Sequence, residues 1–133
     1  MGPDGMTIGP SHYGPKETMD RLADAVTKRG MAVLARIDHA VAATGVGMAL
    51  RPTEVLIFGN PRAGTPLMQA VQTIGIDLPL RALVWQDADG NTWLAYNDPK
   101  WLVARHGAGQ GSERTVTAMT EALAAVTREA TAG

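Results

Sequence analysis

One continuous stretch, residues 52–107, constrains the fold more than any other part of the chain. It starts with Thr53–Phe58, an apolar run with β-branched residues that is typical of a strand. Asn60-Pro61 then predicts a turn. A helix is expected next, with Thr65 as its N-cap, proline as its first residue and Gly75 at its end. This part of the stretch therefore predicts a strand, a turn and a helix in quick succession.

The second half of the stretch carries a hairpin and a capped helix. Leu80–Gln86 and Asn91–Asn97 are typical strands, and the four residues between them end in Gly90, which suits the positive-φ position of a β-hairpin turn. Asp98-Pro99 supplies an N-cap and a first residue for a short helix, which Gly107 ends. Because a tight hairpin joins antiparallel strands, the sheet is expected to be mainly antiparallel.

The segments on either side complete the pattern. Met6–Tyr13 predicts a first strand, and Gly14 is expected to cap the helix that follows it. Met31–His39 predicts the second strand, residues 40–50 fit either a short helix or a close-packed loop, and Ser112 is expected to cap a last helix. The resulting order, β-α-β-β-α-β-β-α, predicts an α+β fold with the helices on one face of the sheet.

Composition limits the class of protein. With 133 residues the chain is expected to form one domain, 1–133, whose residues 1–5 are a disordered leader. The formal net charge of −1 argues against binding nucleic acid, which needs clustered Lys and Arg. The absence of cysteine excludes disulfides and thiolate catalysis. The chain has neither a signal peptide nor an apolar run near the roughly 20 residues that cross a bilayer, so a cytoplasmic protein without membrane contact is expected.

Several predicted strands are apolar on both faces. Thr53–Phe58 places Val55 and Ile57 on one side and Leu56 and Phe58 on the other. In the second strand the alternation predicts three apolar residues on one face: Val33, Ala35 and Ile37. Because helices can cover only one face, the other would expose a large apolar surface, so we expect a homodimer packed sheet to sheet. Two alternatives stay open: the sheet curls around a ligand pocket, or residues 40–50 cover that face.

Three segments resemble a bacterial family known only as domain of unknown function 302: RIDHA (Arg36–Ala40), IFGNPRAGTPLM (Ile57–Met68) and YNDPKWLVARHG (Tyr96–Gly107). The resemblance spans residues 6–130 and implies a compact single domain with a curved sheet, similar to folds related to the TATA-binding protein, that associates as a dimer. It implies no catalytic residues. Some members carry a cysteine directly before the Asn-Pro turn, where this chain has Gly59, so no thiol role is implied here.

The turn after the third strand is a candidate anion site. Asn60, Arg62 and Thr65 stand next to a predicted helix N-terminus, whose backbone N–H groups and dipole attract anions. Arg62 adds a fork for a carboxylate or a phosphate. We therefore expect these residues to contact a small anionic ligand, although a rigid, capped turn explains the same residues. The segment lacks the Gly-Lys-Ser/Thr sequence of a P-loop, so it is not one.

Three further residues complete the candidate ligand site: His39, Asn97 and His106. Their spacing matches neither His-x-x-x-His nor Glu-x-x-His, so neither a metal site nor a cofactor is predicted. The leading interpretation is a non-enzymatic module that binds a small molecule or a protein, and no catalytic residues are assigned. The alternative is a small hydrolase or isomerase in which His39 or His106 acts as general acid–base. Structural roles at a strand end and a helix C-terminus explain both histidines equally well.

Overall fold

The computed structural model describes residues 2–108 and 111–133. The elements in chain order are β1 (Met6–Ser11), α1 (Pro15–Lys28), β2 (Ala32–Asp38), α2 (His39–Gly45), β3 (Thr53–Gly59), α3 (Pro61–Ala70), a 3₁₀ helix (Gln72–Ile76), β4 (Leu80–Gln86), β5 (Thr92–Asn97), α4 (Pro99–His106) and α5 (Glu113–Thr131). The strands form one sheet in the order β1-β5-β4-β3-β2, and all four pairings are antiparallel. The predicted α+β class is confirmed.

The helices α1 and α5 pack on one face of the sheet, which we call the inner face. The core on this face joins the apolar sides of both helices to the inward residues of β3, β4 and β5, among them Met19, Leu22, Leu56, Phe58, Leu94 and Leu123. A second, smaller core joins α3, the 3₁₀ helix and α4 to the start of α5, and includes Leu67, Ile74, Leu102 and Met119. The long helix α5 therefore belongs to both cores.

The opposite face, which we call the outer face, is mainly apolar, with the exposed Arg81 opposite Ile57, and carries no helix of the two cores. Its side chains include Ile8, Val55, Ile57, Leu83, Trp85 and Trp93, which alternate with the inward residues along each strand. All six are partly exposed. The prediction that the strands are apolar on both sides holds for β3, β4 and β5.

A β-bulge in β2 changes the faces predicted for that strand. Val33 pairs with Phe58, but the next paired residue is Ala35, opposite Ile57, so Leu34 is the extra residue. Directly opposite residues share a face, and Val33 therefore lies on the side of buried Phe58 while Ala35 lies on the outer face. The prediction that Val33 shares a face with Ala35 and Ile37 was wrong because strict alternation does not survive a bulge.

The apolar segment after β2 is a short helix followed by an extended connection. The helix α2 begins after Asp38, whose carboxylate accepts the Val41 backbone N–H at 2.9 Å. No residue of 40–50 is buried, so this segment does not cover the outer face. In the described part of the chain, seven of the nine large exposed hydrophobic side chains lie within residues 33–50: Val33, Leu34, Ile37, Val41, Val46, Met48 and Leu50.

The helix after β3 begins five residues earlier than its sequence predicts. Asn60, not Thr65, is the N-cap of α3, and Pro61 is its first residue. Pro66 lies inside the helix, which ends at Ala70 because Val71 is extended. The sequence offers two Asx/Thr-Pro pairs, and the first one caps because Asn60 directly follows the last residue of β3.

The hairpin and the caps of α4 agree with their predictions, whereas Ser112 precedes α5 without a side-chain capping bond, and its hydroxyl donates to the Ala108 carbonyl at 2.8 Å. Gly90 has φ 84° in the β4–β5 turn, and Gly107 ends α4 with φ 69°. Asp98 caps α4 by accepting the Lys100 N–H at 2.9 Å, and its own N–H donates to the Gly5 carbonyl at 2.7 Å. The expectation of one domain with a disordered leader over residues 1–5 stays a prediction. None of the helices in the described ranges is both long and apolar enough to cross a bilayer.

Candidate functional site

An apolar pocket of about 450 Å³ opens where one end of the sheet meets α3 and α5. Its walls come from the C-terminal end of α1, the start of β2, the end of β3, α3, the start of β4 and α5. Most lining residues are small or apolar, among them Leu34, Met68, Leu78, Leu80, Ala118 and Ala122. A pocket of this size and composition is within the range that holds small organic molecules. We call it the α3–α5 pocket.

Three polar residues also line the α3–α5 pocket: Arg29, Asn60 and Thr65. Arg29 is the only charged residue among the described lining residues, and no carboxylate lines the pocket. It is the C-cap residue of α1, it is exposed, and it takes part in none of the ion pairs of the described residues. A cation at a helix C-terminus is favoured by the helix dipole. The walls of this pocket therefore carry one positive charge and no negative one.

The N-terminus of α3 has no backbone donor to spare in its first turn. The Arg62 N–H donates to the Asn60 side chain at 2.9 Å, and the Ala63 and Gly64 N–H groups donate to the Asn60 carbonyl. Pro61 has no N–H. The anion site was predicted on free N–H groups at this turn, and these groups already have partners within the chain. Asn60 and Thr65 nevertheless line the pocket, whereas Arg62 is exposed and does not.

His106 is the centre of a second polar cluster, at the end of α4. Its Nε2 lies 2.6 Å from Asp77 Oδ2, and its Nδ1 lies 2.9 Å from the Thr73 hydroxyl. Arg105 Nη1 contacts both oxygens of Asp77, at 3.0 and 2.8 Å. The imidazole is 9% exposed, while Thr73 is an exposed residue of the 3₁₀ helix. The cluster ties α4 to the 3₁₀ helix, and it places a hydroxyl and a carboxylate on opposite nitrogens of one imidazole.

The other two predicted residues lie elsewhere. His39 is the exposed first residue of α2, and Asn97 pairs with Met6 at the end of β5. Neither lines the α3–α5 pocket, and neither is hydrogen-bonded to His106. Within the described ranges no three His, Asp or Glu side chains are placed to hold a metal ion. Of the six predicted site residues, only Asn60 and Thr65 thus line the α3–α5 pocket. The other four do not line it: His39, Arg62, Asn97 and His106.

Two surface networks shift the pKa of their members. The Lys16 ammonium, followed by the Arg36 guanidinium at 2.8 Å, lowers the pKa of Asp20, and Glu54 raises the pKa of Arg36. In the hairpin, the Trp93 indole N–H donates to Asp87 at 2.8 Å and is the main cause of the lowered pKa of that carboxyl, followed by the Asn91 backbone N–H. These pKa shifts arise from ion pairs and hydrogen bonds at the surface, and none of these residues lines the pocket.

Three residues of these sites were missed by the sequence analysis: Arg29, Thr73 and Asp77. Arg29 is the C-cap of α1, and no sequence pattern marks it as part of a site. Thr73 and Asp77 fell in a segment that was treated as the end of one helix, and their partner lies about 30 positions further along the chain. A contact over that separation leaves no local pattern. The only available signal was His106 itself, a histidine at a helix C-terminus.

Two comparisons describe the fold and the sequence class. A family model described as "Domain of unknown function DUF302" matches residues 9–126. The solved structure titled "Crystal structure of uncharacterized conserved protein DUF302 from Bacillus stearothermophilus" superposes with a TM-score of 0.84 at 20% identity. The match covers 96% of this chain and 99% of that one. At this level of identity the structural likeness shows the fold alone.

Curated relatives carry a more specific name. "Fluoride-specific ion channel FluC 1" of Brucella suis biovar 1 (strain 1330) is 44% identical over 126 residues, which cover 95% of this chain and 50% of the relative. The proteins of Brucella abortus biovar 1 (strain 9-941) and Brucella melitensis biotype 1 (strain ATCC 23456 / CCUG 17765 / NCTC 10094 / 16M), named FluC 1 and FluC 2, match at the same identity, with 47% of each covered. The chain spans about half the length of the curated relatives it matches.

Proposed function

The chain belongs to the DUF302 family, and we propose that it is a small-molecule-binding module whose ligand occupies the α3–α5 pocket. The observation that carries the proposal is the pocket itself, about 450 Å³ with mostly apolar walls. Burial of apolar ligand surface at roughly 25 cal/mol per Å² supplies the affinity. The ligand is therefore mainly apolar, and Asn60 and Thr65 orient it from the α3 side.

The pocket owes its shape to the loose packing of α3. Only Leu67 of this ten-residue helix is buried, whereas α4 buries Pro99, Leu102 and Val103. Gly59 and Gly64 leave the pocket wall without side chains at the turn. The helix therefore leaves room beside the sheet end that a better-packed helix would fill. Such room at the junction of several elements is where ligand sites are most often found.

A fluorescent apolar probe tests the proposal. The uncharged dye N-phenyl-1-naphthylamine is expected to bind the wild-type protein with a one-to-one stoichiometry. Ala122→Trp places an indole in the pocket and is expected to weaken dye binding at least tenfold, while Glu121→Trp, on the exposed side of α5, leaves it unchanged. Thermal unfolding of both variants checks that they fold. Equal dye binding by all three proteins would place the dye elsewhere and overturn the proposal.

We also propose that the module works as a homodimer joined through the outer face. The support is the partly exposed apolar side chains on that face, together with the exposed apolar segment of residues 33–50. Contiguous apolar surface of this kind usually marks an interface. A two-fold axis that lies between the two sheets, parallel to them, pairs each outer face with its copy, which makes the contact self-complementary. The expected cytoplasmic location belongs to the same proposal.

Sedimentation velocity over a range of concentrations tests the dimer. Leu83→Asp puts a charge on the middle strand of the outer face, between Val55 and Ala95, and is expected to give a monomer. The control is Thr117→Asp, an exposed position on α5, which is expected to stay dimeric. A wild-type protein that stays monomeric at millimolar concentration would rule out this assembly. A third outcome, equal dimerisation by Leu83→Asp, would place the interface on another surface.

A second candidate function is a hydrolase that uses the His106 cluster, favoured by the two hydrogen bonds of its imidazole. With Nε2–H donating to Asp77, Nδ1 can accept the proton of Thr73 as its oxygen attacks an ester carbonyl. The C–O bond of the ester then breaks, the imidazolium gives this proton to the leaving alcohol, and water hydrolyses the acyl-threonine. Thr73→Ala is expected to abolish p-nitrophenyl acetate hydrolysis and labelling by a fluorophosphonate, and Thr117→Ala, an exposed threonine on α5, is the control. Unchanged labelling of Thr73→Ala would leave the cluster with a structural role only.

The names of the curated relatives suggest a setting for the module. We propose that it acts beside a fluoride channel, because three relatives with that name match 95% of this chain. None of the described helices is long and apolar enough to cross a bilayer. Fluoride efflux from liposomes that contain a FluC channel, measured with and without this protein, tests the proposal. Identical efflux rates in both would count against it.

A further inference from the structure

We infer that the ligand of the α3–α5 pocket is an apolar monocarboxylate whose charged group binds Arg29. This inference rests on the proposed function, since it names the chemical class of the ligand for the same pocket. It moves the anion-binding role from the turn at Asn60, whose first-turn N–H groups are taken, to a side chain at the C-terminal end of α1. The ligand has an apolar body and a single anionic end.

The charges of the pocket walls carry the argument. Arg29 is the one charged lining residue of the described chain, and it forms no ion pair there. Among the described arginines only Arg36 and Arg105 form ion pairs, and what distinguishes Arg29 from the other unpaired ones is its place in the pocket wall. An arginine without a partner at the rim of an apolar pocket is complementary to a ligand with an anionic head. A cationic ligand would meet repulsion and no compensating carboxylate.

The geometry of the elements favours a carboxylate at the rim and an apolar chain inside. Arg29 follows the last turn of α1 and is exposed, so its guanidinium stays hydrated and charged. Deeper lining residues such as Met68, Leu78 and Met119 offer only apolar surface. A planar carboxylate can accept two parallel hydrogen bonds from one guanidinium, which an alcohol cannot. Discrimination between an acid and an alcohol of equal chain length is therefore expected.

Competition with N-phenyl-1-naphthylamine measures this discrimination. Decanoate, decanol and decyltrimethylammonium share the chain length and differ in the charge of the head. The wild-type protein is expected to bind decanoate about five- to tenfold more tightly than decanol, as for a partly exposed charge-assisted contact. Decyltrimethylammonium is expected to bind most weakly. Raising the ionic strength should weaken decanoate binding and leave decanol binding unchanged.

Variants of Arg29 assign the effect to that side chain. In Arg29→Ala the affinity for decanoate should fall to that for decanol, while the affinity for decanol stays as in the wild type. Arg29→Lys keeps the charge and should retain a part of the preference. Lys28→Ala, the neighbouring exposed cation on α1, is the matched control and should behave as the wild type.

The failure of this inference can be told from the failure of the proposed function. Dye and decanol binding that Ala122→Trp abolishes, with no preference for decanoate, overturns the carboxylate and leaves the pocket as a ligand site. A preference for decanoate that survives in Arg29→Ala also overturns the role of Arg29. If neither the dye nor any of the three amphiphiles binds, the pocket is not a ligand site and both proposals fall.

Discussion

On β3, Leu56 and Phe58 point to the helices and are fully buried, whereas Val55 and Ile57 point the other way and stay partly exposed. The inner face is covered by α1 and α5, and its core continues through β4 and β5. The outer face carries equally apolar residues, including a Trp85–Trp93 cross-strand pair, but no helix of either core. Apolar side chains on the two faces of one sheet thus differ in burial, because helices of the same chain cover only the inner face.

The two faces are expected to contribute differently to the stability of the single chain. Apolar residues on the inner face lose nearly all contact with water, and their burial offsets most of the conformational entropy that the chain loses on folding. Residues on the outer face keep part of their contact with water, so they contribute less in the monomer and more if a second surface covers them. Substitutions on the two faces should therefore differ in size and in their dependence on protein concentration.

The largest expected effect is on the inner face. Leu56→Ala removes a fully buried side chain between α1 and the sheet, and leaves a cavity. The free energy of unfolding should fall by about 2–5 kcal/mol. Urea denaturation followed by circular dichroism measures this change. A loss below about 1 kcal/mol would mean that the inner face is not the main core.

The matched substitution on the outer face is Leu83→Ala, on the neighbouring strand β4. Because Leu83 is only partly buried, its truncation should cost about 1 kcal/mol in dilute protein. If the outer faces pair, the loss should grow with protein concentration, since dimerisation adds stability that the variant lacks. Equal losses for Leu83→Ala and Leu56→Ala in a dilute monomer would erase the difference between the faces.

The ion pair at the β2 edge is expected to matter less than either apolar substitution. Glu54 accepts two hydrogen bonds from Arg36, at 2.7 and 3.2 Å, and Arg36 also contacts Asp20 of α1. Both side chains are partly exposed, so Glu54→Gln should cost less than about 1 kcal/mol. The loss should shrink in high salt, where the wild-type pair is screened. A salt-independent loss would indicate lost packing instead of lost charge.

The smallest effect is expected in the hairpin, and it depends on pH. Because the pKa of Asp87 is lowered in the folded protein, its ionised form adds stability above the ordinary carboxyl pKa of 3.8, and this contribution disappears as the pH falls through the lowered value. Asp87→Asn should therefore destabilise the protein slightly at pH 7 and not in acid. Trp93→Phe should raise the pKa of Asp87, measured by carboxyl NMR titration. An unchanged pKa in Trp93→Phe would show that the backbone N–H groups cause the shift.

The sequence was most informative where a local signal decides the structure. Asp98-Pro99 and Gly90 were assigned correctly because capping and positive φ depend on a few adjacent residues. Two local signals in competition, at Asn60 and Thr65, gave the wrong start for α3. The bulge at Leu34 shifted Val33 to the other face, and nothing in the strand's composition marks an extra residue.

The candidate site was less predictable than the fold because it depends on distant contacts. Asn60 and Thr65 were named from the turn that they share, and both line the α3–α5 pocket. Arg29 reaches the same pocket from another element, so only the packing of α1 against the sheet brings it there. His106 was named as a candidate, but its partner Asp77 lies 29 positions away, and no local pattern joins the two residues.

The extra residue in β2 has a consequence for the way this strand can change. Since Val33 and Ala35 pair with consecutive residues of β3, loss of the single codon for Leu34 would leave both pairings and both faces in place. The sheet would absorb the deletion, but the pocket would lose the side chain that Leu34 contributes to its wall. Shortening β2 by one residue would thus change the shape of the α3–α5 pocket and leave the sheet intact. Ligand specificity could therefore change in evolution without loss of the fold.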